Sequence, residues 1–296
     1  MRRFVFLTLL STAFALVCPV VGARDEQDGV QVEKMSPLRN LVSEEKMQAE
    51  ALQQYTALKA QAREKGVLAP DDAAQLQRLR AIAQKLIPHA QRWNQSAAKW
   101  QWEINLIRLK QVNAFCMPGG KIAFFSGILD TLKLTDEEVA IVMGHEMSHA
   151  LREHARERMA KSGLTSAGAK LAGLGVAAIF GIDPHLTDAV AGGAAKFAAL
   201  KFSRTDETEA DLVGLDIVAR AGYDPRAGVA LWKKMGMLNK NAPPQWLSTH
   251  PAGNNRIAQI QKHLPEVMPL FAKAKGAAIG SLPPYQSNVQ AIEAVK

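Results

Sequence analysis

The run His145-Glu146-Met147-Ser148-His149 sets two imidazoles four positions apart with an acid between them. Four positions is close to one helical turn, so on a helix both rings share a face, as two ligands of a single Zn²⁺ require. Glu146 lies beside that face and can reach a water at the ion, which makes it a candidate general base. Two ligands leave the site unfinished, and the third decides what kind of site it is. Six residues past His149 stands Ala155, no acid occurs between Glu157 and Asp183, and His154 is off register and reads as a surface residue. The next acidic cluster is Glu207-Thr208-Glu209-Ala210-Asp211. Glu207 and Asp211 share a helix face with Gly214 and Val218, whereas Glu209 shares the outward, solvated side with Asp216 and Arg220. Glu207 is therefore favoured as third ligand and Asp211 as the acceptor that orients a ligand histidine. The competing reading is a surface acidic cluster at a helix N-terminus, where the macrodipole favours negative charge.

The elements that must position these residues are mostly helical. Thr135 with Glu138 three residues later is a capping box, opening a helix that carries His145 and His149 on toward Met159. Thr205 or Asp206 caps the helix bearing Glu207, which ends near Gly222, and Asp224-Pro225 opens the next. Residues 37 to 65 and a second stretch from Pro70 to Pro88 carry apolar residues at helical spacing and are expected to pair as an α-hairpin. Trp102, Ile104 and Leu106 alternate with polar residues, and 112–116 and 122–125 are short apolar runs about Pro118-Gly119-Gly120. They predict a small antiparallel or mixed sheet whose last two strands form a hairpin. The fold class is thus mainly α with a small β-sheet (α+β). Its segments are 24–95 as a helical cover, 96–265 as the domain holding the histidines, and 266–296 as a loosely ordered tail. Residues 163–200, rich in Gly and Ala, contain an uncharged run too short to cross a bilayer, and are read as a packed helical pair rather than a membrane-dipping element.

The composition, 48% hydrophobic and 22% charged over 296 residues, excludes disorder and fibrous repeats. The net charge of +8 is spread without a Lys/Arg block and with 6% aromatics, so nucleic acid is not indicated, while weak attraction to anionic membrane surfaces is allowed. Arg2 and Arg3 precede an apolar run from Phe4 to Val17, then Pro19 and Val21-Gly22-Ala23. This is the layout of a secretory signal peptide, 1–23, cut after Ala23, and it places the chain in the periplasm. Val17 argues against lipid attachment at Cys18, and Cys116 is then the sole remaining cysteine, so no internal disulfide forms.

Four ordered motifs between residues 100 and 263 resemble the zinc metallopeptidases of the HtpX and CAAX-prenyl-endopeptidase type, and among them the periplasmic BepA- and LoiP-like soluble members. These are Asn113-Ala114-Phe115 with Pro118-Gly119-Gly120-Lys121, then His145 to His149, then Glu207-x-x-Ala210-Asp211-x-x-Gly214, and Ser248-Thr249-His250-Pro251. The resemblance implies a zincin-like fold in which His145, His149 and Glu207 hold one Zn²⁺ and Glu146 is the catalytic base. It implies that the 121–125 strand, with Ile122, Ala123 and Phe124, is a sheet edge that receives substrate beside Asn113. His250 would sit over the metal, either as a removable fourth ligand or as a polar partner of the reacting carbonyl. The implied activity is peptide-bond hydrolysis in unfolded or misassembled envelope proteins, and the rival reading is a zinc-containing chaperone without proteolysis.

Overall fold

A computed structural model describes residues 28–163, 202–238, 245–250 and 255–296. The signal-peptide segment, Cys18, most of 163–200 and Pro251 lie outside the described residues. Three short strands, β1 (Glu103–Ile107), β2 (Ala114–Met117) and β3 (Lys121–Phe125), form a mixed sheet in the order β1-β3-β2. The β2–β3 hairpin turns through Pro118, Gly119 and Gly120, and both glycines have positive φ; a Cβ on Gly120 would also strike the Trp102 ring. β1 pairs with β3 in parallel, Glu103 opposite Lys121, so of the two expected arrangements the sheet is the mixed one. This order corrects the expected edge. β3 is the central strand, paired on both sides and fully buried, so Ile122, Ala123 and Phe124 cannot receive an added strand.

Around the sheet the described helices are α1 (Glu44–Glu64), α2 (Ala74–Leu86), α3 (Ser126–Thr131), α4 (Asp136–Leu151) and α5 (His154–Gly163). They continue with α6 (Arg204–Arg220), α7 (Ala227–Gly236), α8 (Gln245–Thr249) and α9 (Arg256–Lys275). The strand alternation divides the core between the two sheet faces. Ile104, Leu106, Cys116, Ile122 and Phe124 join α2, α4, α6 and α9 in the main cluster. Phe115, Met117, Ala123 and Phe125 instead meet Met47, Ala51, Tyr55 and Leu58 of α1. The expected α1–α2 hairpin therefore does not form: the two helices lie on opposite faces of the sheet. Nor is 37–65 one helix, since a 3₁₀ turn, Pro37–Leu41, precedes a fresh start at Ser43, whose hydroxyl accepts from the Lys46 N–H. Leu41, within the stretch expected to be helical, ends that 3₁₀ turn and is exposed.

Two capping boxes fix the helices that matter most. Thr135 and Glu138 cap α4 as expected, while α6 is capped by Ser203 with Asp206 rather than by Thr205 or Asp206. α4 does not run on to Met159. It ends at Leu151, and Glu153, with φ of 56°, turns the chain before α5 begins at His154. The C-terminal segment is ordered rather than loose. Pro265 and Pro269 sit within α9, Tyr285 and Val295 exchange backbone hydrogen bonds, and the Tyr285 hydroxyl meets Thr135 Oγ1 at 2.9 Å over the start of α4.

α4 and α6 cross where neither carries a side chain. A Cβ on Gly214 would lie 2.9 Å from the His145 backbone nitrogen and 3.0 Å from the Gly144 carbonyl carbon. Backbone on both sides leaves nothing to yield, so this crossing sets how closely the acids of α6 approach the histidines of α4. Gly214→Ala should drive the helices apart, costing about 1–3 kcal/mol of stability and weakening metal binding, as read by denaturant unfolding and zinc affinity on the same protein; an unchanged affinity would contradict this role of the crossing.

Candidate metal centre

The crossing brings together donor atoms from three elements. His145, His149, Glu207 and His250 each offer one ligand atom, all within 4.8 Å of one another, and all four residues are buried. His145 and His149 present their Nε2 atoms 3.1 Å apart, and each lies 3.5 Å from a Glu207 carboxylate oxygen. His250 Nδ1 is 3.0 Å from Glu207 Oε1 and 3.3 Å from His145 Nε2. The residues expected as metal ligands, His145, His149 and Glu207, are thus brought to one point, and Asp211 reaches His145 Nδ1 at 3.0 Å.

The protonation pattern tests whether these residues suit a cation. Burial alone would raise the Asp211 carboxyl, but the Arg256 guanidinium and His145 hold it down at about 2, so it has no proton to donate. His145 Nδ1 must therefore donate to Asp211, which leaves Nε2 as a lone pair. Burial depresses the His149 pKa well below its ordinary value and keeps that ring neutral. A buried cluster of imidazole lone pairs and a carboxylate, free of sulfur, is a donor set that Zn²⁺ takes readily.

Glu146 points into the same space from α4. Its Oε1 accepts from the Trp246 indole N–H at 2.6 Å and lies 3.5 Å from His250 Nε2. Burial pushes its carboxyl up to about 7, against the pull of His145 and the indole, into the range useful to a base at neutral pH. Trp246 also donates its backbone N–H to the Val112 carbonyl, tying α8 to the approach of β2.

Four residues of the site escaped the sequence reading. Arg256, the first residue of α9, is buried; its guanidinium grips Asp211 through Nε and Nη2, reaches Glu207 Oε2 through Nη1, and stacks 3.9 Å from the Trp232 ring. No local motif marks it; an arginine beginning a helix is ordinarily solvated. Trp246 had a signal, an aromatic four residues before His250 and so one helical turn away. His154 and Glu209, set aside as solvent-facing, are respectively buried and partly buried and hydrogen-bond each other at 3.1 Å. Arg256→Ala would leave two buried carboxylates without their cation and should lower the stability of the metal-free protein by about 3–5 kcal/mol in denaturant unfolding. A loss below 1 kcal/mol, on the order of an exposed ion pair, would contradict this pairing.

Comparison with known proteins follows the same residues. Over 155 residues the chain is 40% identical to the mitochondrial metalloendopeptidase OMA1 of Arabidopsis thaliana, covering 52% of this chain and 30% of that protein. It is 32% identical over 192 residues to OMA1 of Saccharomyces cerevisiae, covering 61% and 52%. To the β-barrel assembly-enhancing protease of Escherichia coli it is 25% identical over 213 residues, covering 69% and 42%. The chain thus spans a third to a half of the length of these relatives. The periplasmic location expected from the N-terminal segment is contradicted by them, since the relatives at 32% and 40% identity are mitochondrial proteins. The family model of peptidase family M48 matches residues 73–264, more than half of the chain, and the chain belongs to that family.

Proposed function

We propose that the protein is a zinc-dependent endopeptidase that cuts extended or unfolded polypeptide, with Glu146 as general base. The observation that carries this is a free carboxylate beside the ligand cluster. A zinc site kept for structure has no use for a buried acid 2.6 Å from an indole N–H and aimed at the ligands, whereas a hydrolase needs one. Zinc held by His145, His149 and Glu207 would supply Lewis acidity toward the scissile carbonyl and lower the pKa of a water. Glu146 takes the proton of the attacking water and returns it to the leaving amine nitrogen. The indole of Trp246 fixes one of its oxygens and leaves the other for that exchange. Asp211 and Arg256 hold the His145 ring and the Glu207 carboxylate in place throughout.

Substrate recognition passes from β3 to β2. Phe125 N–H bonds the Asn113 carbonyl, so by the antiparallel alternation Phe115 and Met117 face β3 while the backbone groups of Ala114 and Cys116 point to the outer edge. Asn113, at the start of that edge, is buried with its amide nitrogen lacking a partner among the described residues. An extended peptide pairing along β2 would lie beside α4 and bring its carbonyl to the ligands with little dependence on sequence. Ala114 and Cys116 are buried, so a strand enters only if the cover moves. α8, bonded to Val112 by Trp246, borders the start of that edge and is followed directly by His250, which in this reading acts as the removable fourth ligand.

Glu146→Gln should retain stoichiometric zinc and lose cleavage of unfolded casein by at least about a hundredfold; a variant that cuts at the wild-type rate ends the assignment. His250→Ala should raise basal cleavage while zinc is retained. A fall would give His250 the alternative role, partner of the reacting carbonyl.

A further inference from the structure

Behind the second ligand lies a pair of residues that the proposed chemistry does not use. His154 Nδ1 is 2.9 Å from His149 Nδ1, on the side of that ring away from the ligand cluster, and His154 Nε2 is 3.1 Å from Glu209 Oε2. His154 is buried to 2% exposure, so the contact is not incidental to a surface ring. Its position follows from the break after α4: a helix continued through Glu153 would carry residue 154 around the axis, whereas the left-handed turn at Glu153, φ 56°, folds it back beneath His149. Glu153 is held in that conformation by Arg156 at 2.8 Å and Arg39 at 2.5 Å. A non-glycine residue kept at positive φ by two ion pairs indicates that the turn is imposed by its surroundings.

The hydrogen-bond directions along this chain admit one neutral arrangement. Glu209 Oε1 accepts from the Arg152 guanidinium at 2.5 Å, and its other oxygen, an acceptor in a carboxylate paired with arginine, takes the His154 Nε2–H at 3.1 Å. His154 Nδ1 is then an acceptor, and His149 Nδ1 must be the donor. That fixes the His149 proton on Nδ1 and its lone pair on Nε2, toward Glu207 and His145. The two imidazoles of α4 thus each have a carboxylate behind them: Asp211 directly for His145, and Glu209 by way of His154 for His149.

We infer that His154 and Glu209 are positioning residues that brace His149, fixing its tautomer and ring angle and thereby setting zinc affinity, without touching metal or substrate. The inference rests on the reading that His149 is a zinc ligand. The test is zinc affinity of the full chain by competition with a chromophoric chelator, together with the visible absorption of the Co²⁺-substituted protein. His154→Ala should weaken zinc binding about 10- to 100-fold and alter the Co²⁺ spectrum. His154→Asn, whose side-chain oxygen can stand near the lost Nδ1 and accept from His149, should recover most of the affinity. The brace is overturned if His154→Ala binds zinc as the wild type does, or if His154→Asn is no better than His154→Ala. Should the alanine variant fail to fold by far-ultraviolet circular dichroism, Glu209→Gln carries the test, with weakened zinc binding expected and unchanged affinity overturning the proposal. A wild-type chain that takes up no zinc would refute the metal centre itself, whereas a zinc-binding wild type with unaffected variants refutes only the brace.

Discussion

Two imidazole nitrogens face each other 3.1 Å apart in the interior, with the proton of His145 committed on the far side of its ring to Asp211. Lone pairs at that separation repel, and a buried carboxylate 3.5 Å from each adds negative charge. Only a cation among them turns the arrangement favourable. The surrounding fold forces the donors into this proximity: a capping box fixes the start of each helix, a pair of facing glycines lets the backbones touch, and Arg256 fastens the acids of α6 from α9.

The same crowding accounts for the charge pattern of the core. Glu146, Glu207 and Asp211 are all buried, and isolated carboxylates in such surroundings would take up protons instead of staying charged. Against burial, His250, His145 and Arg256 hold Glu207 as a carboxylate, and Arg256 with His145 does the same for Asp211, before any metal arrives. Glu146 has no guanidinium bonded to it and keeps only the Trp246 indole, which leaves it the most easily protonated of the three. Two acids are thus held as ligand and orienter while one remains basic, a division set by which of them hydrogen-bond the histidines and the arginine.

Much of this centre was legible because its chemistry is local in sequence. His145 and His149 are separated by a helical turn, and Glu207 and Asp211 by another, so periodicity alone put each pair on one face. What escaped depended on contacts between distant segments. The helical reading of Glu209 assumed that α6 has a solvated side, but Arg152 and His154, at the junction of α4 and α5, meet that side. His154 itself was misjudged because counting along a continuous helix cannot anticipate a left-handed residue at Glu153. The strand order fails for a related reason: alternation marks β1 and short apolar runs mark β2 and β3, and neither pattern carries anything about which strand lies in the middle. The parallel β1–β3 pairing moves the free edge to β2, nearer α4 and the Trp246 tether.

The most direct test of the central claim is X-ray absorption at the zinc edge on the purified full-length protein. The structure predicts about one zinc per chain with only nitrogen and oxygen neighbours, at roughly 2.0–2.2 Å, and with outer scattering from at least two imidazoles. A protein that holds no zinc, or one whose zinc shows sulfur scattering at about 2.3 Å, would contradict the account.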